Sequence, residues 1–395
     1  MTRADKLPFI KGAVGHGDFG RLAELGANAV RLSRVSRKGL DAAAAAGLGV
    51  LAGLPVKPER NGMDYDDTRA IADQHEEVMA LVQEFKDHPA LMIWCVGNEL
   101  DHIPDETPYN RNVWNAVNDL VRDIHKIDSD HPALTAVGMG RFGKIEECAA
   151  RCPDLDLMGV NAYGKINQAH GLLQKHGWTK PYVFTEWGMT GAWERPRTEW
   201  AAPFEECSAT KADCYLRRYR DAILAYPEQC IGGFAFYWGW RHETTLSWYN
   251  MHGPKGHEME SVAAMESLWK EKPLDTSAPH LFGLRVNGIA APDNVFLKPG
   301  QKYPLEALTA PEGIGPNQRF GWELRPEVKY GAYAGSGETL PPEAPEAIAE
   351  DRGEQAVLHA PQKPGKYRVF VYLYDGQNRF ATANLPVHVG GMTAE

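Results

Sequence analysis

The sequence has no uninterrupted apolar run of about 18 residues, the length a membrane-spanning helix needs, so no membrane span is expected. It has no Lys/Arg cluster that could track a phosphate backbone, and 42 basic against 52 acidic residues leave a net charge of −10, which argues against nucleic acid as a partner. Cysteine is sparse: six residues, Cys95, Cys148, Cys152, Cys207, Cys214 and Cys230. No second thiol pair stands at zinc-ribbon spacing, so a metal site is not expected, and Cys95 lies in an apolar run that suits a small buried thiol. The pairs 148/152 and 207/214 could each close a short disulfide loop, which points to a periplasmic or secreted chain; six reduced thiols in the cytoplasm are the alternative. The first ten residues, MTRADKLPFI, carry no apolar signal core, so the exported reading requires a signal trimmed from this chain.

What is present is ordinary globular composition, 43% apolar and 24% charged, over a length that allows two or three domains. Tryptophan and tyrosine are abundant, 11 and 15, and flat rings suit sugar faces, although core packing is the commoner use of any one of them.

From residue 8 to about 240, short β-rich apolar runs alternate with helical stretches, the pattern of parallel strands joined by crossover helices. Eight strands are expected: 8–14, 28–33, 49–54, 91–96, 133–137, 157–162, 182–186 and 233–238. Apolar residues recur at three and four over 65–87, 110–127, 209–225 and 258–270, and the alanines 42–46 fit a short helix. Eight such units imply a (β/α)8 TIM barrel, whose function belongs at the C-terminal ends of the strands. After Lys272 the texture changes to a Pro-containing polar linker, 273–280, and then to short alternating runs with an Asp375-Gly376 turn, so residues 281–395 are expected to form a β-sandwich of immunoglobulin-like kind following a barrel over 1–272. The Gly, Pro and Glu-rich stretch 331–354 reads as a surface loop.

Two of the strands stop abruptly at a carboxylate. The fourth ends Trp94-Cys95-Val96-Gly97-Asn98-Glu99 and the seventh ends Phe184-Thr185-Glu186-Trp187-Gly188. Two carboxylates facing one pocket are the minimum machinery for cleaving a glycosidic bond, one protonating the leaving oxygen while the other attacks the anomeric carbon. Arg31 at the end of the second strand could hold a carboxylate by bidentate hydrogen bonding, and Tyr163, after Asn161 at the end of the sixth, could donate to the same group. Each residue alone has a bland reading, a solvated strand end for a Glu, a surface ion pair for Arg31, a half-buried ring for Tyr163.

Together these residues resemble the clan A glycoside hydrolases, most closely the catalytic barrel of glycoside hydrolase family 2. The resemblance covers about residues 8 to 250 and rests on Lys11-Gly12, Gly26-Ala27-Asn28-Ala29-Val30-Arg31, His88-Pro89, Trp94 with Gly97-Asn98-Glu99, Asn161 and Tyr163, Thr185-Glu186-Trp187-Gly188 and Trp238. It implies that Glu99 is the acid/base, Glu186 the nucleophile, Asn98 a contact to the sugar 2-hydroxyl, Arg31 and Tyr163 partners of the nucleophile, and Trp238 a platform under the sugar. Trp187, where the family commonly has Tyr or Phe, would reshape a subsite. The order of domains departs from the family, whose sandwiches usually precede the barrel. The short loop Gly15-His16-Gly17-Asp18 and the compact barrel are also similar to clan members that remodel β-glucans, and His16 joins the substrate-binding residues on that account.

The expected activity is therefore a retaining β-glycoside hydrolase that acts on β-linked oligo- or polysaccharides and requires no metal or organic cofactor. A β-glucan transglycosylase using the same residues is the alternative within the class. A non-catalytic carbohydrate-binding protein is the alternative outside it, with Trp322 and Tyr333 as ring contacts of the sandwich. Trp193 and Trp200, in the loop after the seventh strand, are further ring platforms on this reading. The sugar and the oligomeric state are not legible.

Overall fold

The computed structural model describes residues 2–102, 109–139, 144–309, 315, 317–328 and 338–390. All eight expected apolar runs form parallel strands: β1 (Ile10–Gly15), β2 (Ala29–Leu32), β3 (Gly49–Leu54), β4 (Leu91–Asn98), β5 (Ala133–Gly138), β6 (Met158–Ala162), β7 (Tyr182–Trp187) and β8 (Cys230–Trp238). They hydrogen-bond in sequence order and β8 returns to β1, closing a TIM barrel. Strands buried on both faces need near-continuous apolar sequence, and β2 and β6 are buried at every position.

Helices α1 (Phe19–Glu24), α2 (Arg37–Ala45), α3 (Thr68–Phe85), α4 (Asn112–Ile127), α5 (Ile145–Arg151), α6 (Ala169–Lys175) and α7 (Ser208–Arg218) lie between the strands in the chain. The starts of the first three are set locally. Asp18, Ser36 and Asp67 stand at their N-caps, and their side-chain oxygens accept backbone N–H groups of the first turn. A helix running from 209 to 225 is interrupted: α7 passes into a π-turn at Tyr219–Ile223.

Several residues that carry the family resemblance act at the starts of strands. Asn28 bridges two of them, accepting the Lys11 N–H at 2.9 Å and donating to the Phe9 carbonyl at 2.8 Å. The Trp94 indole donates to Asp128 at 2.8 Å, and His88 meets Asp41 at 3.1 Å. Gly12 is required by the barrel interior, since a Cβ there would approach the Phe234 ring to 2.5 Å.

The C-terminal part holds β9 (Glu258–Met259), α8 (Glu260–Lys270), β10 (Gly283–Val286), β11 (Phe296–Leu297), β12 (Lys302–Leu308), β13 (Arg319–Pro326), β14 (Ile348–Ala349), β15 (Gln355–His359), β16 (Gly365–Tyr374) and β17 (Arg379–Val389). One sheet has the order β10-β12-β15-β14 and the other β11-β17-β16-β13, with β9 also pairing β17. Leu284, Leu305 and Leu358 from the first sheet and Leu324, Val371 and Leu385 from the second belong to one buried cluster, the core of a β-sandwich. Trp322 is buried in that core with its indole N–H on the Gly353 carbonyl at 3.0 Å, so its ring does not present a sugar platform. Tyr333 lies outside the described residues, as do 331–337 of the expected loop; 338–354 is irregular apart from a 3-10 turn at Pro345–Ala347 and the short β14.

The division into compact units does not follow the composition break at 273–280. One unit is Met1–Gly188 with Arg217–Trp238, and the other is Met189–Leu216 with Gly239–Glu395. Apolar burial is the reason: Phe204, Cys207 and Ala209, from the loop after β7 and the start of α7, belong to the sandwich core. Trp200 from the same loop is buried against Phe296 and His388, ring centroids 5.5 Å away in each case, so it packs where a platform was expected.

The expected disulfides are absent. All six cysteines are free and buried: Cys148 and Cys152 stand one turn apart on and just after α5, Cys207 faces the Thr210 hydroxyl at 3.2 Å, and Cys214 faces Glu206 at 3.9 Å. No described helix is long and apolar enough to cross a membrane.

Candidate active site

The site is built by irregularities at the C-terminal ends of the strands. Register shifts occur between Cys95 and Asn98 in β4, between Val160 and Asn161 in β6, and between Phe184 and Trp187 in β7. Such breaks re-aim side chains that strict alternation would send elsewhere. Gly97 (φ 86°) and Glu99 (φ 48°) both adopt left-handed backbone, which turns the chain sharply after β4. The turn is pinned by the Glu99 N–H on the Ala136 carbonyl at 2.8 Å and by Arg60, which donates to the carbonyls of Glu99 and His102.

Arg31, on β2 and only 4% exposed, is the hub. One guanidinium nitrogen donates to Glu186 Oε1 and to the Thr185 carbonyl, both at 2.9 Å, and reaches Asn161 Oδ1 at 3.4 Å; the other donates to Asn98 Oδ1 at 2.7 Å. Burial opposes its charge, but Glu186, then Cys95, Glu99 and Tyr163, outweigh that and hold the guanidinium above its ordinary value. The Tyr163 hydroxyl donates to the second oxygen of Glu186 at 2.8 Å, so this carboxylate is gripped from two sides.

Glu99 is dressed differently. Its Oε1 accepts the neutral amide of Asn161 at 2.9 Å, and the same amide nitrogen lies 3.0 Å from Asn98 Oδ1. Asn161 is itself fixed by the Thr185 hydroxyl, 2.7 Å from its Oδ1. Glu99 Oε2 stands 3.9 Å from His102 Nδ1, whose imidazole is shifted down by burial and by Arg60. Behind the turn, Asp101 is buried, its Oδ2 accepting the Lys144 N–H at 2.6 Å and its Oδ1 without a hydrogen bond among the described residues; burial pushes this carboxyl up to about 6. Cys95 lies below Arg31, and burial first of all pushes its thiol up.

Six of the sequence-predicted residues, Arg31, Asn98, Glu99, Asn161, Tyr163 and Glu186, therefore form one hydrogen-bonded network. The other three make contacts outside it. Trp187 is completely buried against Tyr219, centroids 5.7 Å apart, because the residue after an inward Glu186 faces the helix layer. Trp238 is 1% exposed and staples the β1–α1 loop: its indole donates to the Asp18 carbonyl at 3.0 Å, and its carbonyl accepts the N–H groups of His16 and Gly17. The Phe236 ring of β8 reaches the network, in edge contact with Tyr163 at 5.9 Å. The sequence reading missed it because Val14 pairs with Phe236 and Gly15 with Trp238, a register shift that resets the alternation of β8 and leaves no trace in the sequence. His16 is exposed and lines a groove toward α1 and α2. Trp193, 42% exposed, stacks on Tyr249 at 6.4 Å. Among the described residues no group of three or more His, Cys, Asp and Glu side chains is arranged to hold a metal ion.

The closed eight-stranded barrel thus carries a glutamate at the ends of β4 and β7, Glu186 clamped by an arginine and a tyrosine, on the face where TIM barrels place their sites. Residues 17–199 match the family model described as glycosyl hydrolases family 2, TIM barrel domain, so this stretch of the barrel is similar to the catalytic barrel of that family. No curated protein matches the sequence. Among solved structures the chain is similar to Bacteroides uniformis beta-glucuronidase 3 (14% identity, 98% of this chain and 50% of that one, TM-score 0.47). It is also similar to Ruminococcus gnavus beta-glucuronidase (15% identity, 67% and 50%, TM-score 0.49) and to an endo-1,4-beta-xylanase from Caldicellulosiruptor owensensis (12% identity, 66% and 99%, TM-score 0.45). The chain spans about half the length of the two glucuronidases.

Proposed function

We propose that this protein is a retaining β-glycosidase acting on β-linked oligo- or polysaccharides, with Glu186 as nucleophile and Glu99 as acid/base. The observation that carries the reading is the unequal dressing of the two carboxylates. Glu186 sits between a buried guanidinium and a phenol, which fix both its oxygens for attack, whereas Glu99 Oε1 carries a neutral amide and its other oxygen is available to give and take a proton.

In the first step Glu186 attacks the anomeric carbon, the bond from that carbon to the leaving oxygen breaks, and Glu99 transfers its proton to that oxygen. In the second step Glu99 takes a proton from water, or from an acceptor hydroxyl, as its oxygen attacks the same carbon and releases Glu186. Two inversions give net retention. Asn98 Oδ1 is occupied by Arg31 and Asn161, which leaves the amide nitrogen of Asn98 to meet a sugar hydroxyl. The Phe236 and Tyr163 rings supply apolar surface beside the nucleophile.

The test is a product assay on β-linked oligosaccharides and aryl β-glycosides, comparing the intact chain with Glu186→Gln. Turnover that is lost in the variant, with a β-configured first product by NMR, supports the reading, and the proportion of transfer products measures how far sugar competes with water. Glu99→Gln should lose about 10²- to 10⁴-fold on substrates with poor leaving groups and far less on activated aryl glycosides. An intact chain that binds glycans yet turns none over would replace the hydrolase reading with that of a binding protein.

A further inference from the structure

Glu99 sits in a turn that its residue type does not favour. Its φ of 48° is left-handed backbone, which a residue other than glycine keeps only where its surroundings hold it. We infer that Arg60, from the loop after β3, is the positioning residue of the acid/base, fixing the backbone of Glu99 and through it the aim of the carboxyl. The assignment rests on the reading of Glu99 as acid/base.

The grip is on the main chain. One guanidinium nitrogen of Arg60 donates to the Glu99 carbonyl and, at 3.1 Å, to the His102 carbonyl, while the Glu99 carbonyl also accepts the His102 N–H at 3.2 Å. With the Glu99 N–H on the Ala136 carbonyl at 2.8 Å, both polar groups of this residue's backbone are tied, one to β5 and one to Arg60. Arg60 is itself presented by a braced loop. Tyr65, buried, donates to the Lys57 carbonyl at 2.6 Å, and Gln74 of α3 accepts the Lys57 N–H at 2.7 Å. Glu59–Asn61 then form a single 3-10 turn closed by Gly62 in left-handed backbone (φ 85°), and Glu59 accepts the Asn110 N–H at 2.6 Å. The two arginines of the site thus act differently. Arg31 lies on the carboxylate of Glu186, which favours the ionised form a nucleophile needs. A cation in that place on Glu99 would favour loss of the proton the acid has to give; on the backbone carbonyl it holds position, and the carboxyl meets the neutral amide of Asn161. The His102 imidazole beside Glu99 Oε2 is shifted down by burial first and then by Arg60, so the acid has an uncharged ring as its neighbour at neutral pH. Asn161 grips one oxygen of the carboxyl, so rotation of the Glu99 backbone would swing the group about that contact, and a misplacement of about 1 Å is enough to cost about a hundredfold in rate.

The test compares the full chain with Arg60→Met and Arg60→Lys on phenyl and 2,4-dinitrophenyl β-glycosides of glucose, galactose, mannose and glucuronic acid. Phenolate leaves poorly and needs the proton of Glu99, whereas dinitrophenolate leaves without it. In Arg60→Met, kcat/KM is expected to fall about ten- to a hundredfold on the phenyl glycoside and by less than about threefold on the dinitrophenyl glycoside. Azide should raise the variant's turnover of the dinitrophenyl glycoside. The azide nitrogen attacks the anomeric carbon of the glycosyl-enzyme, the bond to the Glu186 oxygen breaks with its electron pair returning to the carboxylate, and a β-glycosyl azide is released. Arg60→Lys keeps a cationic donor and should regain most of the loss, because a single nitrogen makes both carbonyl contacts. A rate lost equally on both leaving groups, or a loss without azide response, is what a merely structural residue gives and overturns the inference. Hydrogen exchange supplies a readout independent of turnover: the amides of residues 97–102 should exchange at least about tenfold faster in Arg60→Met, with those of 91–96 unchanged, and unaltered exchange at 97–102 overturns the inference. If the intact chain turns over none of the glycosides, the hydrolase reading fails, while faster exchange at 97–102 in the variant still identifies Arg60 as the residue that holds the turn.

Discussion

Arg31 makes four hydrogen bonds from one planar group, and its loss removes more than a charge. Arg31→Met preserves volume but leaves the Glu186 carboxylate, 16% exposed, without its cation; the expected cost is about 3–5 kcal/mol in urea unfolding together with loss of turnover. Arg31→Lys should recover much of the stability and little of the activity, because a point charge cannot bridge Asn98 and Glu186 at once. Gly138 is a second sensitive position, since a Cβ there would stand 3.1 Å from Glu99 Oε1. Gly138→Ala is expected to lower kcat more than it raises KM, with a shift in melting temperature of at most a few degrees, as steady-state kinetics and a thermal scan would show. The types and order of these residues were legible in the sequence, because Gly-Asn-Glu and Thr-Glu-Trp-Gly each end an apolar run. Which ring joins them was not: the register shift in β8 exchanges Trp238 for Phe236, and a backbone irregularity of one residue is invisible to an alternation pattern.

At the scale of elements, the barrel is tied at the starts of its strands by buried carboxylates, of which Asp128 is the clearest. It accepts from the Trp94 indole at 2.8 Å and from the backbone and ring of His131 at 3.1 and 2.9 Å, joining β4 to the chain entering β5. Burial pushes this carboxyl up, but the hydrogen bonds from His131 and Trp94 overcome it and hold the group down at about 2. A depressed carboxylate stabilises the fold above the unfolded value of 3.8 and ceases to do so as pH falls through about 2. Stability should therefore decline between about pH 4 and pH 2 by on the order of 2 kcal/mol from this group. In Asp128→Asn that portion of the decline should vanish, and comparison of urea midpoints at pH 5 and pH 3 would reveal it. Strand positions were legible to within a few residues because a parallel barrel demands doubly buried strands, whereas the π-turn after α7 has no compositional mark.

On the scale of the whole molecule, the long loop after β7 packs with the sandwich through a buried ion pair as well as through apolar contacts. Glu205 takes Lys211, the Ser247 hydroxyl at 2.8 Å and the Thr245 hydroxyl at 2.6 Å, all out of solvent, so Lys211→Met should strand a buried charge and cost about 3–5 kcal/mol, seen as earlier unfolding and faster proteolysis near residues 190–207. Truncation after Lys272 would strip Phe204, Cys207 and Ala209 of their core, and the product should bind a hydrophobic dye and aggregate where the full chain does not. By itself the sequence determined the barrel, the following sandwich and the two glutamates, because burial on both strand faces and an abrupt polar end to each apolar run are local, periodic signals. Only the tertiary structure decided the unit boundaries, the free state of the six thiols and the place of Phe236. Each of these depends on side chains from separate strands or loops meeting in space, and distance along a chain carries no record of which ones meet.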